Sequence, residues 1–213
     1  MTEEEAQDWL RKNVSVSREA QNKLVQFADA VVQEAEHQNL ISASTSPTIW
    51  SRHIVDSAQL LGLHSANTSE PWPWLDLGTG AGFPGMVIAI LSDQPIVLVE
   101  SRRKRFEFLE RQIEALRLKN VHIHGGRLET VETQPVGVIS ARAFAPLSRL
   151  FPLAHRFSRK DTVWLLPKGR TVLEELESIR SSWQGVFHVK PSLTDVEAAI
   201  IIATGVSPRK SAR

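Results

Sequence analysis

The stretch Trp74–Gly85, WLDLGTGAGFPG, constrains this chain more than any other, because it joins a short apolar segment to four glycines with an acid at the junction. Trp74 and Leu75 read as a strand inside a parallel sheet, with Asp76 at its carboxyl end. Gly78, Gly80 and Gly82 then form a turn whose backbone can approach a ligand that any Cβ would push away. Pro84 suits the first turn of a helix, and Met86 to Leu91 continue it as an apolar helix against the sheet. The pattern is half of a βαβ unit that cradles a ligand; a glycine turn that binds nothing is the alternative.

Spacing separates two nucleotide-type cofactors. A dinucleotide fingerprint G-x-G-x-x-G can be laid on Gly80, Gly82 and Gly85, but it puts Pro84 in the phosphate loop and leaves Asp76 to repel a pyrophosphate. D-x-G-x-G followed by an acid at the end of the next strand is how class I methyltransferases hold S-adenosylmethionine, whose cationic end suits Asp76. Ile96–Glu100 reads as that next strand, and Glu100 falls where a ribose-binding acid of a βαβ unit belongs.

The 213 residues suffice for one sizeable α/β domain with an appendage, and the absence of cysteine excludes disulfides and thiol-based sites. The acidic start MTEEEAQDWL is unlike a secretory signal, so a cytoplasmic protein without a membrane segment is expected. Net charge of +1 hides an asymmetry: residues 101–170 hold 15 Lys/Arg against 6 Asp/Glu, whereas residues 1–70 hold 5 against 10. A basic face beside the cofactor site suits a polyanion such as RNA, the alternative being a solvated helical surface. Arg102, Arg103, Arg105, Lys168 and Arg170 are the candidate RNA contacts.

Residues 1–70 read as a helical cap. Thr2 with Glu5 forms a capping box, Ser17 starts a longer helix through Leu24, Phe27 and Val31, and Ser46-Pro47 starts a third carrying Trp50, Ile54, Ala58 and Leu61. Residues 64–73 are a polar connector. Residues 71–206 alternate strand and helix, the signature of a Rossmann-like, mostly parallel seven-stranded sheet whose last two strands, Val186–Lys190 and Ala198–Thr204, pair antiparallel at the edge. Residues 207–213 form a basic tail expected to be disordered. His53 and Asp56, three apart on the third helix, read as a structural hydrogen-bonded pair tying the cap to the cofactor loop. His122 and His124 share a strand face with no third ligand, so no metal is expected. The six Trp read mainly as core, with Trp50 beside Arg52 also able to stack on a base.

Several pieces occur in one order: Asn39-Leu40, RHIVDS at Arg52–Ser57, DLGTGAGFPG at Asp76–Gly85, LVES at Leu98–Ser101, RLE at Arg127–Glu129, ARAFAPL at Ala141–Leu147 and Lys168-Gly169. In these the chain resembles the RsmG (GidB) family of bacterial 16S ribosomal RNA guanine-N7 methyltransferases. It departs from the family at Gly137, where an Asp is common, and at Pro167. The resemblance implies a class I S-adenosylmethionine-dependent methyltransferase fold, cofactor contacts from Gly78, Phe83, Glu100 (ribose), Leu128 and Glu129 (adenine), and Arg142 at the active site touching cofactor and chemistry. The implied partner is 16S rRNA or an assembling small subunit, met by a monomer. Two rival readings share the glycines or the fold: a nicotinamide-dependent oxidoreductase, and a non-catalytic RNA-binding or ribosome-assembly protein.

Overall fold

A computed structural model describes residues 1–64 and 72–209. Helix α1 (Glu3–Asn13) opens with the expected capping box between Thr2 and Glu5, and α2 (Arg18–Glu34) is capped by the Ser17 hydroxyl accepting from the Ala20 N–H. The third helical segment is less regular than its apolar spacing predicts. It passes from a 3-10 turn (Ser46–Thr48) through a π-helical stretch (Trp50–Val55) into a single α-turn, α3 (Asp56–Ala58). The π stretch is six residues, little more than one turn, too short for the spacing of four apolar positions to distinguish it from an α-helix. Glu3 of α1 anchors it: its carboxylate accepts from the backbone N–H groups of Trp50 and Ser51, each at 2.9 Å.

Beyond the cap come β1 (Trp74–Leu77), α4 (Gly85–Leu91), β2 (Ile96–Glu100), α5 (Arg103–Ala115), β3 (Val121–Gly125), β4 (Val136–Ala141), α6 (Leu147–Ala154), β5 (Ser158–Lys168), α7 (Val172–Ile179), β6 (Trp183–Pro191) and β7 (Ala199–Pro208). They build one seven-stranded sheet in the order β3-β2-β1-β4-β5-β7-β6. The first five strands are parallel, and β7 runs antiparallel to both β5 and β6, as the edge pair of the sequence reading requires. Strand order reverses between β1 and β4, which opens a crevice at their carboxyl ends.

The central strands are buried on both faces, which explains their unbroken apolar runs. Trp74, Leu98 and Val138 face a core shared with the cap, α4 and α5, while Leu75, Val99 and Ile139 face a second core under α6 and α7. Gly137 has a packing reason: a Cβ there would stand 3.0 Å from the Trp72 Cβ. Trp50 is buried in the first core, so its reading as a stacking platform does not hold. The C-terminal expectation also needs correction, since Ser207 and Pro208 belong to β7 and Arg209 donates to the Ser182 and Trp183 carbonyls. Residues 210–213 of that tail, and residues 65–71 of the connector, lie outside the described residues.

Ser140 on β4 links the centre of the sheet: it accepts from the Trp74 indole N–H at 2.7 Å and donates to Asp76 at 2.6 Å, all fully buried. Ser140→Ala leaves a buried donor and a buried carboxylate each short of a partner. It should cost about 1–3 kcal/mol in urea denaturation, with the slope of the transition unchanged.

Candidate active site

Asp76 ends β1 at the crevice, but its carboxylate points inward. It is 0% exposed, accepts from Ser140 on one oxygen and takes the Gly85 N–H on the other at 3.0 Å. Burial pushes its pKa up, against the pull of these hydrogen bonds. The expectation that Asp76 faces a cationic ligand is therefore corrected: both oxygens serve the fold, tying β1 to β4 and to the start of α4. Gly82 is corrected likewise. It is buried, and a Cβ on it would meet Met86, Leu109 and Phe27 at 2.7–2.9 Å, so side-chain packing and not ligand approach demands the glycine.

Gly80 is different. Its φ of +63° is a left-handed conformation, and a Cβ there would meet nothing closer than the Arg105 guanidinium at 3.7 Å, so its backbone lies open. Its N–H donates to the Glu100 carboxylate at 3.0 Å, and the other Glu100 oxygen takes the Arg102 N–H at 2.7 Å. Two N–H groups thus hold a mostly buried acid at the end of β2, with lone pairs to spare for a hydroxyl. Beside it lies a cavity of about 350 Å³ lined by Gly78, Val99, Leu128, Glu129 and Phe144 among others. Leu128 is buried and Glu129 exposed in the 3-10 turn that follows β3. Phe83 is 3% exposed, with the His53 ring stacked on it at 4.9 Å, and it lines neither this cavity nor its neighbour, so the expected side-chain contact with the cofactor is not formed from this position.

Arg142, at the end of β4, is the centre of a second constellation. It donates to the Asp56 carboxylate at 3.1 Å and to Nδ1 of His53 at 2.6 Å, and its guanidinium lies 5.5 Å from the Phe83 ring. The expected His53–Asp56 pairing is replaced by this arrangement: both cap residues turn to Arg142. Because arginine has no acceptor, His53 must take that bond on a bare Nδ1, carry its proton on Nε2 and donate it to the Thr45 hydroxyl at 3.1 Å. The other Asp56 oxygen accepts from Thr194 at 2.8 Å and from Gln59 at 3.0 Å, which clamps the β6–β7 loop to the cap. Around these groups opens a cavity of about 540 Å³, bordered by Arg52, Arg142, Phe144, Lys168 and Asp195. It shares Phe144 and Ala145 with the first cavity. Sequence alone singled out neither Phe144 nor Thr194; Phe144 lies inside ARAFAPL, where only its neighbour Arg142 carries an obvious charge.

The basic candidates divide. Arg102 and Arg103 are exposed, Arg103 pairing with Glu107, and Arg170 stands at the surface near Glu197. Arg105 instead donates to the Asn39 carbonyl at 2.6 Å, locking α5 to the cap. Lys168 is also corrected: its side chain is 9% exposed and its ammonium bonds Glu175 at 2.7 Å and the Ala145 carbonyl at 3.1 Å, so it braces the 145–147 turn. Among the described residues no group of three or more His, Asp or Glu could hold a metal ion.

Residues 20–199 match the GidB family, described as rRNA small subunit methyltransferase G. The chain belongs to this family. A protein named ribosomal RNA small subunit methyltransferase G from Rhizorhabdus wittichii is 53% identical, the match covering 98% of this chain and 95% of that one. Its namesake from Zymomonas mobilis is 50% identical, covering 99% and 97%. Solved structures share the fold. An S-adenosylmethionine-dependent methyltransferase from Aquifex aeolicus aligns with a TM-score of 0.58 at 14% identity, over 75% of this chain and 93% of that one. The glycopeptide N-methyltransferase MtfA aligns with a TM-score of 0.59 at 9% identity, over 71% and 93%. Membership of a methyltransferase family removes the nicotinamide oxidoreductase reading.

Burial, then the charges of Arg142 and Arg52, lower the His53 pKa from 6.5 to about 3. The unfolded chain takes up this proton below its ordinary value while the folded protein refuses it. The contribution to stability is thus complete above pH 6.5 and is lost as pH falls towards 3. Up to about 5 kcal/mol should disappear across that window. Chemical denaturation as a function of pH should show the slope, and His53→Gln, which keeps an acceptor without a titration, should flatten it.

Proposed function

We propose that this protein binds S-adenosylmethionine in the glycine-turn cavity and transfers its methyl group to N7 of a guanine in 16S ribosomal RNA, the activity its family carries. The observation that bears this reading furthest is the pairing of Glu100 with Gly80: turn backbone holds a strand-end acid whose chain neighbours Val99 and Ser101 line a cavity sized for a nucleoside. The residues fit the cofactor. Glu100 has lone pairs for ribose hydroxyls, Leu128 an apolar face for adenine, Glu129 and nearby backbone acceptors for its amino group, Gly80 allows close approach, and Gly78 lines the cavity beneath the Phe144 ring. When bound, the cofactor supplies an electrophilic methyl on a sulfonium.

Guanine N7 has an in-plane lone pair and no proton, so the protein needs no general base. The most obvious candidate is excluded on geometry: both His53 nitrogens are engaged, Nδ1 by Arg142 and Nε2 by Thr45. What the chain supplies is alignment and exclusion of water, effects that contribute up to about 7–11 kcal/mol of barrier reduction. Arg142 is placed to orient a phosphate or carboxylate with a planar fork already held by Asp56 and His53. The enzyme acts as a monomer in the cytoplasm, on 16S RNA alone or within an assembling subunit. Mapping of N7-methylguanine in small-subunit RNA with and without the gene tests the assignment directly; unchanged methylation on deletion would overturn it.

Arg142→Lys keeps the charge and loses the fork. In single-turnover methyl transfer to small subunits lacking the modification, it should be slower by about tenfold or more, nearly as impaired as Arg142→Ala. Rescue to the wild-type rate by Lys would reduce Arg142 to a point charge. Of the basic candidates, Arg102, Arg103 and Arg170 are the exposed set, and together their neutralisation should lower the slope of log affinity against log salt by about 0.7–0.9 per lost phosphate contact. Lys168→Gln should instead lower stability and leave that slope unchanged.

A further inference from the structure

The segment from Arg142 to Leu147 is pinned at both ends. Arg142 is held by Asp56 and His53, and at the far end Glu175 takes the Leu147 N–H at 3.1 Å while Lys168 holds the Ala145 carbonyl. Between these anchors Ala143 is forced to a φ of +52°, in the left-handed region that a residue with a Cβ rarely enters. The turn projects the half-buried Phe144 into the wall between the two cavities, which its ring lines on both sides. The ring edge lies over Gly78, its Cδ2 standing 2.5 Å from where a Cβ on that glycine would sit. The strain thus sets an aromatic ring at the boundary of the glycine-turn cavity and the larger cavity around Arg142.

We propose that the larger cavity is the seat of the acceptor base, a purine drawn out of the RNA, and that Phe144 carries one face of that base at the boundary with the cofactor compartment. The inference rests on the methyltransferase reading above. A methyl group must pass between two compartments, and these two adjoin at Phe144 and Ala145. An unstacked base seeks an aromatic face, and the ring offers one at the point of transfer. The charge balance favours the same residue. The N7 lone pair forms the new N–C bond as the C–S bond breaks with its electron pair left on sulfur; no proton moves, and the positive charge passes from the sulfonium to the purine. The negative face of a phenyl ring favours a cation on either side of that step. Meanwhile the Arg142 charge, which would oppose it, is offset by Asp56 at 3.1 Å.

The test compares Phe144→Tyr, Phe144→Leu and Phe144→Ala in single-turnover transfer to small subunits lacking the modification, with S-adenosylmethionine affinity measured separately by calorimetry. With S-adenosylmethionine saturating for each variant, the Tyr variant should transfer at close to the wild-type rate, and Leu and Ala should both be slower by about tenfold or more, beyond any loss of cofactor affinity. Leu nearly preserves volume, so a ring that merely fills the wall would be rescued by it. Wild-type transfer by Phe144→Leu, or a loss wholly accounted for by weaker cofactor binding, overturns the proposal. If the wild-type protein itself neither binds S-adenosylmethionine nor transfers methyl, the failure belongs to the underlying methyltransferase reading.

Discussion

A carboxylate with no exposure to water sits where the strand order reverses. Asp76 ends β1, bonds Ser140 on the neighbouring β4 and receives the first N–H of α4 from Gly85. Burying a charge is costly unless donors surround it, and here the donors are the elements that must be held in register. One side chain therefore fixes both lips of the crevice and the direction in which α4 leaves it. Between its two anchor points the chain must turn within eight residues, from Leu77 to Pro84, which leaves room for a loop and nothing larger. Glu100 acts on the same loop from the other side through Gly80. The two acids differ in consequence: Asp76 is enclosed and structural, whereas Glu100 follows the cavity-lining Val99 and keeps acceptor capacity beyond its two N–H donors.

The second site depends on a charge held by distant segments. Arg142 comes from β4, Asp56 and His53 from the cap, and Thr194 from the β6–β7 loop, so the wall of the larger cavity exists only when all three are docked. Neutral His53 is a condition of that docking. A proton on Nδ1 would place a cation and a competing N–H against the guanidinium at 2.6 Å, which is why burial and the arginine charges act in the same direction on its pKa. The helical cap is therefore part of the site: its irregular π-helical stretch brings His53 against Phe83, and Asp56, which follows it, to the β6–β7 loop at once.

Much of this was legible in the residues. Periodicity and caps placed the first two helices, the strands on either side of α4 and the antiparallel edge pair, because Thr2 with Glu5, Ser17 and the apolar runs of the strands act locally. The glycine turn and the acid of β2 were equally visible, since a strand end and a turn need few residues to define them. What sequence could not supply was direction. Asp76 carries the same letter whether it faces a ligand or the core, and only the Ser140 hydroxyl across the sheet decides. Lys168 and Arg105 look like Arg103 in a charge count, yet Glu175 and the Asn39 carbonyl draw the first two inward. His53 and Asp56 are helical neighbours in sequence, and their shared partner lies about 90 residues on, beyond the reach of any local rule.

Phe144 shows why the reactive part of such a site is the hardest to read. The reaction asks for no base, nucleophile or metal, so the residues that serve it need carry no chemical signature. They need shape, and shape is set by other residues: by the left-handed Ala143 beside it, by the salt bridge of Lys168 with Glu175 below it, and by the glycine whose missing Cβ makes room for its ring. A charged residue announces itself in a sequence because burial of a charge must be answered by partners. An apolar ring at a boundary between two cavities looks like core until both cavities are seen. On the proposal made above, the seat of the acceptor base then rests on packing around that ring and on the pinned segment that carries it, so its position is set by the Arg142–Leu147 turn and not by any group with reactive chemistry of its own.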